Sequence, residues 1–351
     1  MKTEPTAHPK LHIGIDIHKR SWKVHCATDL FIGKSFSMPP EPKVLYDYVQ
    51  KNFVGYEVST AYEAGCCGFS AHRSFEAFGW RSVVANPADI HRRGKEKHSK
   101  TDRIDAQLIA RELKDDRLNA IKVPDVQREA LRSLFRRRND VVKDIRRNKS
   151  RIKMQLLYFG IAIPEEFDKD NWSHNFRNWV DGVDFVHPTA KSTLEGRMRT
   201  FRFLDREKRE VSNELRAYCR KHYKTDYNLL RSVPGIAGIV ACGILSELGD
   251  LRRFGTIKHL AGYLGLAPGI YQSGDNSRDT GITKRANKIM RSYFVEASWQ
   301  AIRTDPIMQA YYRKHLPKDS KKIIIKIARK LASRTLAVIK TGIPYQAGVI
   351  Q

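Results

Sequence analysis

Three scarcities narrow the reading of this chain before any motif is considered. No stretch among its 351 residues stays apolar for the length a bilayer span needs, ~18 residues. The N-terminal MKTEPTAHPK is polar and carries no signal-peptide core. Cysteine is sparse as well: Cys26, Cys66, Cys67, Cys219 and Cys242 are odd in number and form no Cys-x-x-Cys pair. Neither a disulfide framework nor a structural zinc site is indicated, and a reducing cytoplasm is the expected compartment. Acidic residues are the third shortage, 38 Asp and Glu against 64 Lys and Arg, for a net charge of +26. An excess of that size favours a polyanion, because each phosphate neutralised releases condensed counterions. An anionic membrane surface is the weaker alternative, so nucleic acid is the expected partner and no membrane is.

What acid there is falls in telling places. Lys100-Thr101-Asp102-Arg103-Ile104-Asp105-Ala106 reads as a helix start, with Thr101 as N-cap before the run Ala106 to Ala110. A three-residue spacing puts Asp102 and Asp105 on one helix face, close enough to share a hard cation. Upstream, LHIGIDIHKRSWKVHCATDLFIGKSFSM predicts three strands at about 11–17, 21–28 and 31–37, joined as antiparallel hairpins. A helix over 42–52, a strand over 55–62 ended by Glu63, a helical stretch from Cys67 to Phe78 and a short strand over 81–86 follow. The order β-β-β-α-β-α-β-α describes an α/β domain over about 11–124, and it is the order of the RNase H-like fold. In that fold a metal-binding Asp sits in the first strand, the place held here by Asp16. Asp16, Glu63, Asp102 and Asp105 would together bind two Mg²⁺ ions, which prefer oxygen ligands. Two such ions can serve the attacking and leaving oxygens of a phosphodiester.

Residues 125–225 change texture. Residues 126–160 show apolar positions at helical spacing and a dense basic face that includes Arg136, Arg137, Arg146 and Arg147. A second long helix is expected over about 188–222, and the pair reads as an antiparallel coiled-coil arm, spacer or dimer contact. Between them Trp172, His174 and Trp179 form a short aromatic segment. The last third, 226–345, is a mainly helical domain that opens on Val233-Pro234-Gly235-Ile236-Ala237-Gly238, a helix-hairpin-helix-like turn. A glycine-rich passage from Gly265 to Arg278 is expected as a loop, followed by a helix over 288–303. The basic, apolar tail 321–340 is expected to pack on this domain rather than on a lipid surface.

Taken in order, GIDIHK, YEAGCCGF, KTDRIDA, VPGI, ELGDLRRF, YLGLAP, SG and GITKRAN resemble one family over nearly the whole chain. It is the DEDD transposases of the insertion-sequence family numbered one hundred and ten, in its subgroup numbered eleven hundred and eleven. The resemblance implies a RuvC-like N-terminal domain whose tetrad is Asp16, Glu63, Asp102 and Asp105, a coiled-coil linker and a C-terminal transposase domain. It implies a serine nucleophile that forms a covalent phosphoserine link to DNA. Other implied features are a noncoding guide (bridge) RNA pairing with donor and target DNA, and assembly as dimers and tetramers. The family loop Pro-Ser-Glu-x-Ser-Ser-Gly is altered here, with Gly269 after Pro268 and Gln272 before Ser273, which leaves Ser273 as the nucleophile and Ser277 as the alternative. Ala286 replaces the usual glycine of Thr-Lys-x-Gly-Asn, and Lys284, Arg285 and Asn287 are candidate phosphate contacts.

The expected function is therefore a Mg²⁺-dependent, RNA-guided recombinase of an insertion sequence, cytoplasmic and associated with the nucleoid when active. Its rival is a RuvC-like, structure-selective endonuclease that uses the tetrad without a serine. A non-catalytic nucleic-acid-binding protein would leave the four carboxylates without a purpose.

Overall fold

The computed structural model describes residues 8–30, 33–90, 101–167, 171–273, 276–283, 285–316 and 320–346. Side chains of 268–280 and 320 lie outside that description. The chain divides into two compact units, 1–123 and 124–351.

The first unit is built on a five-stranded sheet. Its strands are β1 (Lys10–Ile17), β2 (Trp22–Thr28), β3 (Ser35–Met38), β4 (Glu57–Glu63) and β5 (Arg81–Ala85), in the order β3-β2-β1-β4-β5. β1 pairs antiparallel with β2 and β2 with β3, whereas β1, β4 and β5 run parallel. The third strand begins at Ser35, later than the expected 31, and β4 carries Glu63 as its last residue instead of stopping before it. Period-two alternation sorts the two faces. Leu11, Ile13 and Ile15 turn toward a core shared with Leu45 and Val49 of α1 (Pro42–Asn52) and Ala71 and Phe75 of α2 (Ser70–Ala77). Residues of the other parity, among them Gly14 and Asp16, turn toward α3 (Asp102–Lys114).

α3 begins where the sequence expects. The Thr101 side chain accepts from the Ile104 N–H at 3.3 Å, and Leu108, Ile109 and Leu113 pack on Ala61, Val83 and Ala85 of the sheet. Gly14 lets this helix lie directly on β1: a Cβ built there would stand 2.1 Å from the Ala106 carbonyl oxygen and 2.4 Å from the Ala110 nitrogen. Both are backbone atoms, so the helix itself would have to move. Gly14→Ala is expected to destabilise the first unit by about 1–3 kcal/mol in urea unfolding. It should also lift the carboxylates of α3 away from β1, with a loss of activity beyond the loss of folded protein.

In the second unit, α4 (Val126–Tyr158) and α6 (Pro188–His222) pack as an antiparallel pair. Their bonds run in opposite chain directions, from Tyr218 Oη donating to the Gln127 carbonyl (3.3 Å) to Gln155 Nε2 donating to the Ala190 carbonyl (2.9 Å). α5 (His174–Gly182) packs near their connected ends, where Trp172 and Phe176 are buried with Ile152, Leu156, Leu194 and Phe201. The aromatic segment is thus core: Trp172 packs edge-on and Trp179 stacked against Phe176, and His174 merely begins the helix.

Leu131, Phe135, Val211, Leu215 and Cys219 of the long helices share a second, larger core with the C-terminal elements. These are α7 (Lys224–Ser232), α8 (Gly238–Gly243) widened by a π turn over Ile244–Leu248, α9 (Ile257–Leu264), α10 (Lys288–Thr304), α11 (Pro306–His315) and α12 (Ser320–Thr341). The Pro234-Gly235 turn joins α7 to α8, and Gly235 needs both its positive φ of 90° and its missing side chain, since a Cβ would meet the Ala297 carbonyl at 2.5 Å. α12 buries Ile323, Ile327, Leu331, Leu336 and Ile339 in this core, and no described helix is long and apolar enough to cross a membrane. The glycine-rich passage, expected as a loop, forms the hairpin β6 (Pro268–Ser273) and β7 (Asn276–Ile282).

Candidate active site

Two of the four expected carboxylates, Asp16 and Asp102, come together at the C-terminal end of β1 under the first turn of α3. The carboxylates of Glu63 and Asp105 are not part of that close group. Ile15 pairs with Tyr62 in parallel register, the last pair of the two strands, and Asp16 and Glu63 are the residues that follow on each. Tyr62 belongs to the core on the α1/α2 side and Ala61 to the core under α3, so Glu63, by alternation, shares the α3 face with Asp16. The helix then supplies Asp102 and Asp105 from one turn. Asp105 is buried and Asp102 exposed, because the helix presents Asp105, Ala106 and Ile109 to the sheet.

Among the described residues, Asp16, His18 and Asp102 form the grouping whose ligand atoms all lie within 4.8 Å of one another. His18 Nε2 stands 3.1 Å from Asp16 Oδ2 and 3.8 Å from Asp102 Oδ1. Burial pushes the Asp16 carboxyl above the usual carboxylate range. His18 pulls the other way, while the charges of Asp102 and Asp105 push it further up. Like charges brought together against desolvation are what a divalent cation relieves, and an oxygen-rich donor set suits a hard ion. The residues present fit such an ion.

His18 was visible in GIDIHK yet carried no expected role. The signal for it was parity: two residues beyond Asp16, it continues the face on which the first carboxylate lies.

The proposed serines and basic residues lie in the second unit. Ser273 ends β6, opposite Asn276, and Ser277 pairs with Gln272; their side chains fall outside the described residues, as does Lys284 altogether. Arg285 and Arg146 are exposed. Asn287 has internal work: its Oδ1 accepts from the Met290 N–H (3.0 Å) to cap α10, and its Nδ2 donates to Glu247 Oε2 (3.2 Å). Arg136, expected on an open basic face, instead holds the buried Glu247 by two bonds, Nε to Oε1 at 2.7 Å and Nη2 to Oε2 at 3.2 Å. The reason is that a carboxylate 2% exposed needs a charged donor, and α4 passes it with Arg132 and Arg136 one turn apart. Arg137 pairs with Glu207 at 2.5 Å and Arg147 with Asp144 at 3.0 Å. Exposed pairs of this kind are worth little, so phosphate can displace the carboxylate.

A mixed sheet in this order, with carboxylates collected at the ends of its first and fourth strands under a helix start, defines the RNase H-like class of phosphoryl-transfer fold. Comparison with known proteins narrows the class. Residues 13–160 match the DEDD transposase family of IS110. Residues 227–313 match the family described as "Transposase IS116/IS110/IS902 family", and together the two matches span more than half of the chain. The y4qE protein of Sinorhizobium fredii is 30% identical over 240 residues, covering 68% of this chain and 57% of its own. The transposase for insertion sequence element IS1111A of Coxiella burnetii is 22% identical over 276 residues, 74% of this chain and 72% of its own. The pilin gene-inverting protein of Moraxella bovis is 26% identical over 268 residues, 75% and 73%. The chain belongs to the IS110/IS116 family of DEDD transposases, a family of DNA transposases.

Proposed function

We propose that the protein cuts and rejoins DNA at the ends of its own insertion sequence, guided by a noncoding bridge RNA, with Ser273 as nucleophile and Ser277 as the alternative. Within the family we place it in the subgroup numbered eleven hundred and eleven, on the motifs quoted above. The observation that carries the reading is the convergence of Asp16 and Asp102, with Asp105 on the same helical turn and Glu63 at the end of the neighbouring parallel strand, in a chain with far more base than acid.

Asp16, Glu63, Asp102 and Asp105 would hold Mg²⁺, as two ions, whose Lewis acidity would polarise the phosphodiester and ease deprotonation of the attacking hydroxyl. The serine oxygen forms a bond to phosphorus and the bond to the leaving deoxyribose oxygen breaks, giving a phosphoserine ester that conserves the energy for rejoining. A second DNA end reverses the step and frees the serine. Arg285, Lys284 and Asn287, with Arg146, Arg137 and Arg147 of the arm, position the nucleic-acid backbone without reading bases; Arg136 joins them only through its exposed edge. The arm over 125–225 serves as spacer and dimer contact, and the transposase domain over 226–345 carries the serine. The pilin gene-inverting name of the Moraxella relative favours strand rejoining over hydrolysis alone. We place the working assembly, a dimer to tetramer, in the cytoplasm on the nucleoid.

The test is a covalent adduct. Labelled element-end DNA, guide RNA, Mg²⁺ and protein should give a band that survives denaturing electrophoresis. Ser273→Ala should abolish it while Ser277→Ala leaves it. An adduct that persists in both variants removes the serine mechanism, and cleavage without any adduct in the unaltered protein favours the RuvC-like endonuclease.

A further inference from the structure

We infer that His18 is a nitrogen ligand of the cation site, a fifth donor beside the four carboxylates. The inference rests on the metal-binding reading of Asp16, Glu63, Asp102 and Asp105, and deepens it.

Three observations support it. First, a single atom, His18 Nε2, faces both carboxylates, at 3.1 Å from Asp16 Oδ2 and 3.8 Å from Asp102 Oδ1. A histidine that only braced Asp16 could do so with its ring turned from Asp102. Second, the spacing suits coordination. Ligand bonds of about 2.1 Å in an octahedron set neighbouring donors about 3 Å apart and opposite donors about 4.2 Å apart. The Asp16–His18 separation of 3.1 Å is that of neighbours, and the His18–Asp102 separation of 3.8 Å lies between the two values. Third, the imidazole follows directly on the strand that places Asp16, one residue past its end, and its side chain is half exposed at 53%. Nothing has to unfold for it to exchange a hydrogen bond for an ion.

The proton count is simple. Coordination needs the Nε2 lone pair, so the ring binds as its neutral Nδ1–H tautomer. A ring protonated on Nε2 alone moves that hydrogen to Nδ1 through solvent, and a doubly protonated ring releases the Nε2 proton to solvent. The chemical consequence is selectivity. An all-carboxylate site suits Mg²⁺, whereas a nitrogen donor raises affinity for first-row transition ions over Mg²⁺.

The experiment uses the full chain loaded with Mn²⁺, followed by pulsed electron paramagnetic resonance. The expected spectrum shows modulation from one directly bound imidazole ¹⁴N, converted to the ¹⁵N pattern when the protein is grown on ¹⁵N-histidine. In His18→Gln the modulation should vanish, and Mn²⁺ should bind at least about tenfold more weakly, comparable to losses seen when a mere outer partner is removed. Mg²⁺ affinity should fall by less. Mn²⁺ bound in a manner sensitive to Asp16→Asn but without nitrogen modulation overturns the role of His18 and leaves the carboxylate site standing. Modulation that survives His18→Gln overturns it too. Mn²⁺ binding indifferent to Asp16→Asn sinks the cation site and this inference together.

Discussion

Asp16→Asn is expected to abolish strand transfer, by at least about 10³-fold, while leaving the protein as stable as before or slightly more so. The activity half follows from charge: Asn keeps the shape but removes the anionic oxygen that a hard ion requires, and loss of one well-placed electrostatic group in an active site costs that much. The stability half follows from the environment. Burial already disfavours the Asp16 anion, and Asp102 and Asp105 add repulsion that His18 opposes. Neutralising it removes a strained charge, the usual sign of a residue kept for function over stability. Gel assays of strand transfer and thermal melting on the same preparations check both halves. A variant that keeps activity would dissolve the metal-site reading, and one that unfolds would show Asp16 to be a structural anchor.

Glu247→Ala is expected to give the largest loss of stability among the substitutions considered, about 3 kcal/mol by urea unfolding. Glu247 is 2% exposed, yet it takes bonds from Arg136 and Asn287, with Arg132 3.8 Å away. Breaking a buried ion pair from one side costs about 3–5 kcal/mol. The lower figure applies because the Arg136 side chain is 55% exposed and water can take up its charge. The variant also frees Asn287, which caps α10 directly after the β6–β7 hairpin that carries Ser273. Adduct formation should therefore fall together with stability. Glu247→Gln keeps one acceptor oxygen but turns an NH₂ toward the donors of Arg136 or Asn287, so it should recover only part of both. If Gln is as damaging as Ala, the charge itself and not the geometry is what α10 needs.

Much of this was written in local pattern. The β1 and β2 strands announce themselves by period-two alternation, Thr101 by its cap, the two long helices by their apolar stripe, and Asp16, Asp102 and Asp105 by their position relative to those elements. Local rules suffice there because each depends on neighbours a few residues away. Other features escaped for reasons that can be named. Glycine density disguised β6 and β7, whose pairing depends on a partner across the turn. Asp305-Pro306 was a legible helix start for α11 that drew no expectation, although the Asp305 side chain caps it. The basic stripe of α4 looked uniform, yet Arg136 is committed to Glu247, 111 residues away.

Residue order alone determined the strand–helix succession of the first unit, the two long helices and the net positive charge, and it named the candidate acids. Tertiary approach decided which of them come close: Gly14 admits α3 against β1, which brings Asp102 to Asp16 and His18, while Glu63 ends the neighbouring parallel strand outside that close group. The difference is physical. Propensity and periodicity are short-range and survive in one dimension. Repulsion among carboxylates, the reach of an imidazole and the partnering of a buried charge are fixed by distances that close only when the chain has folded.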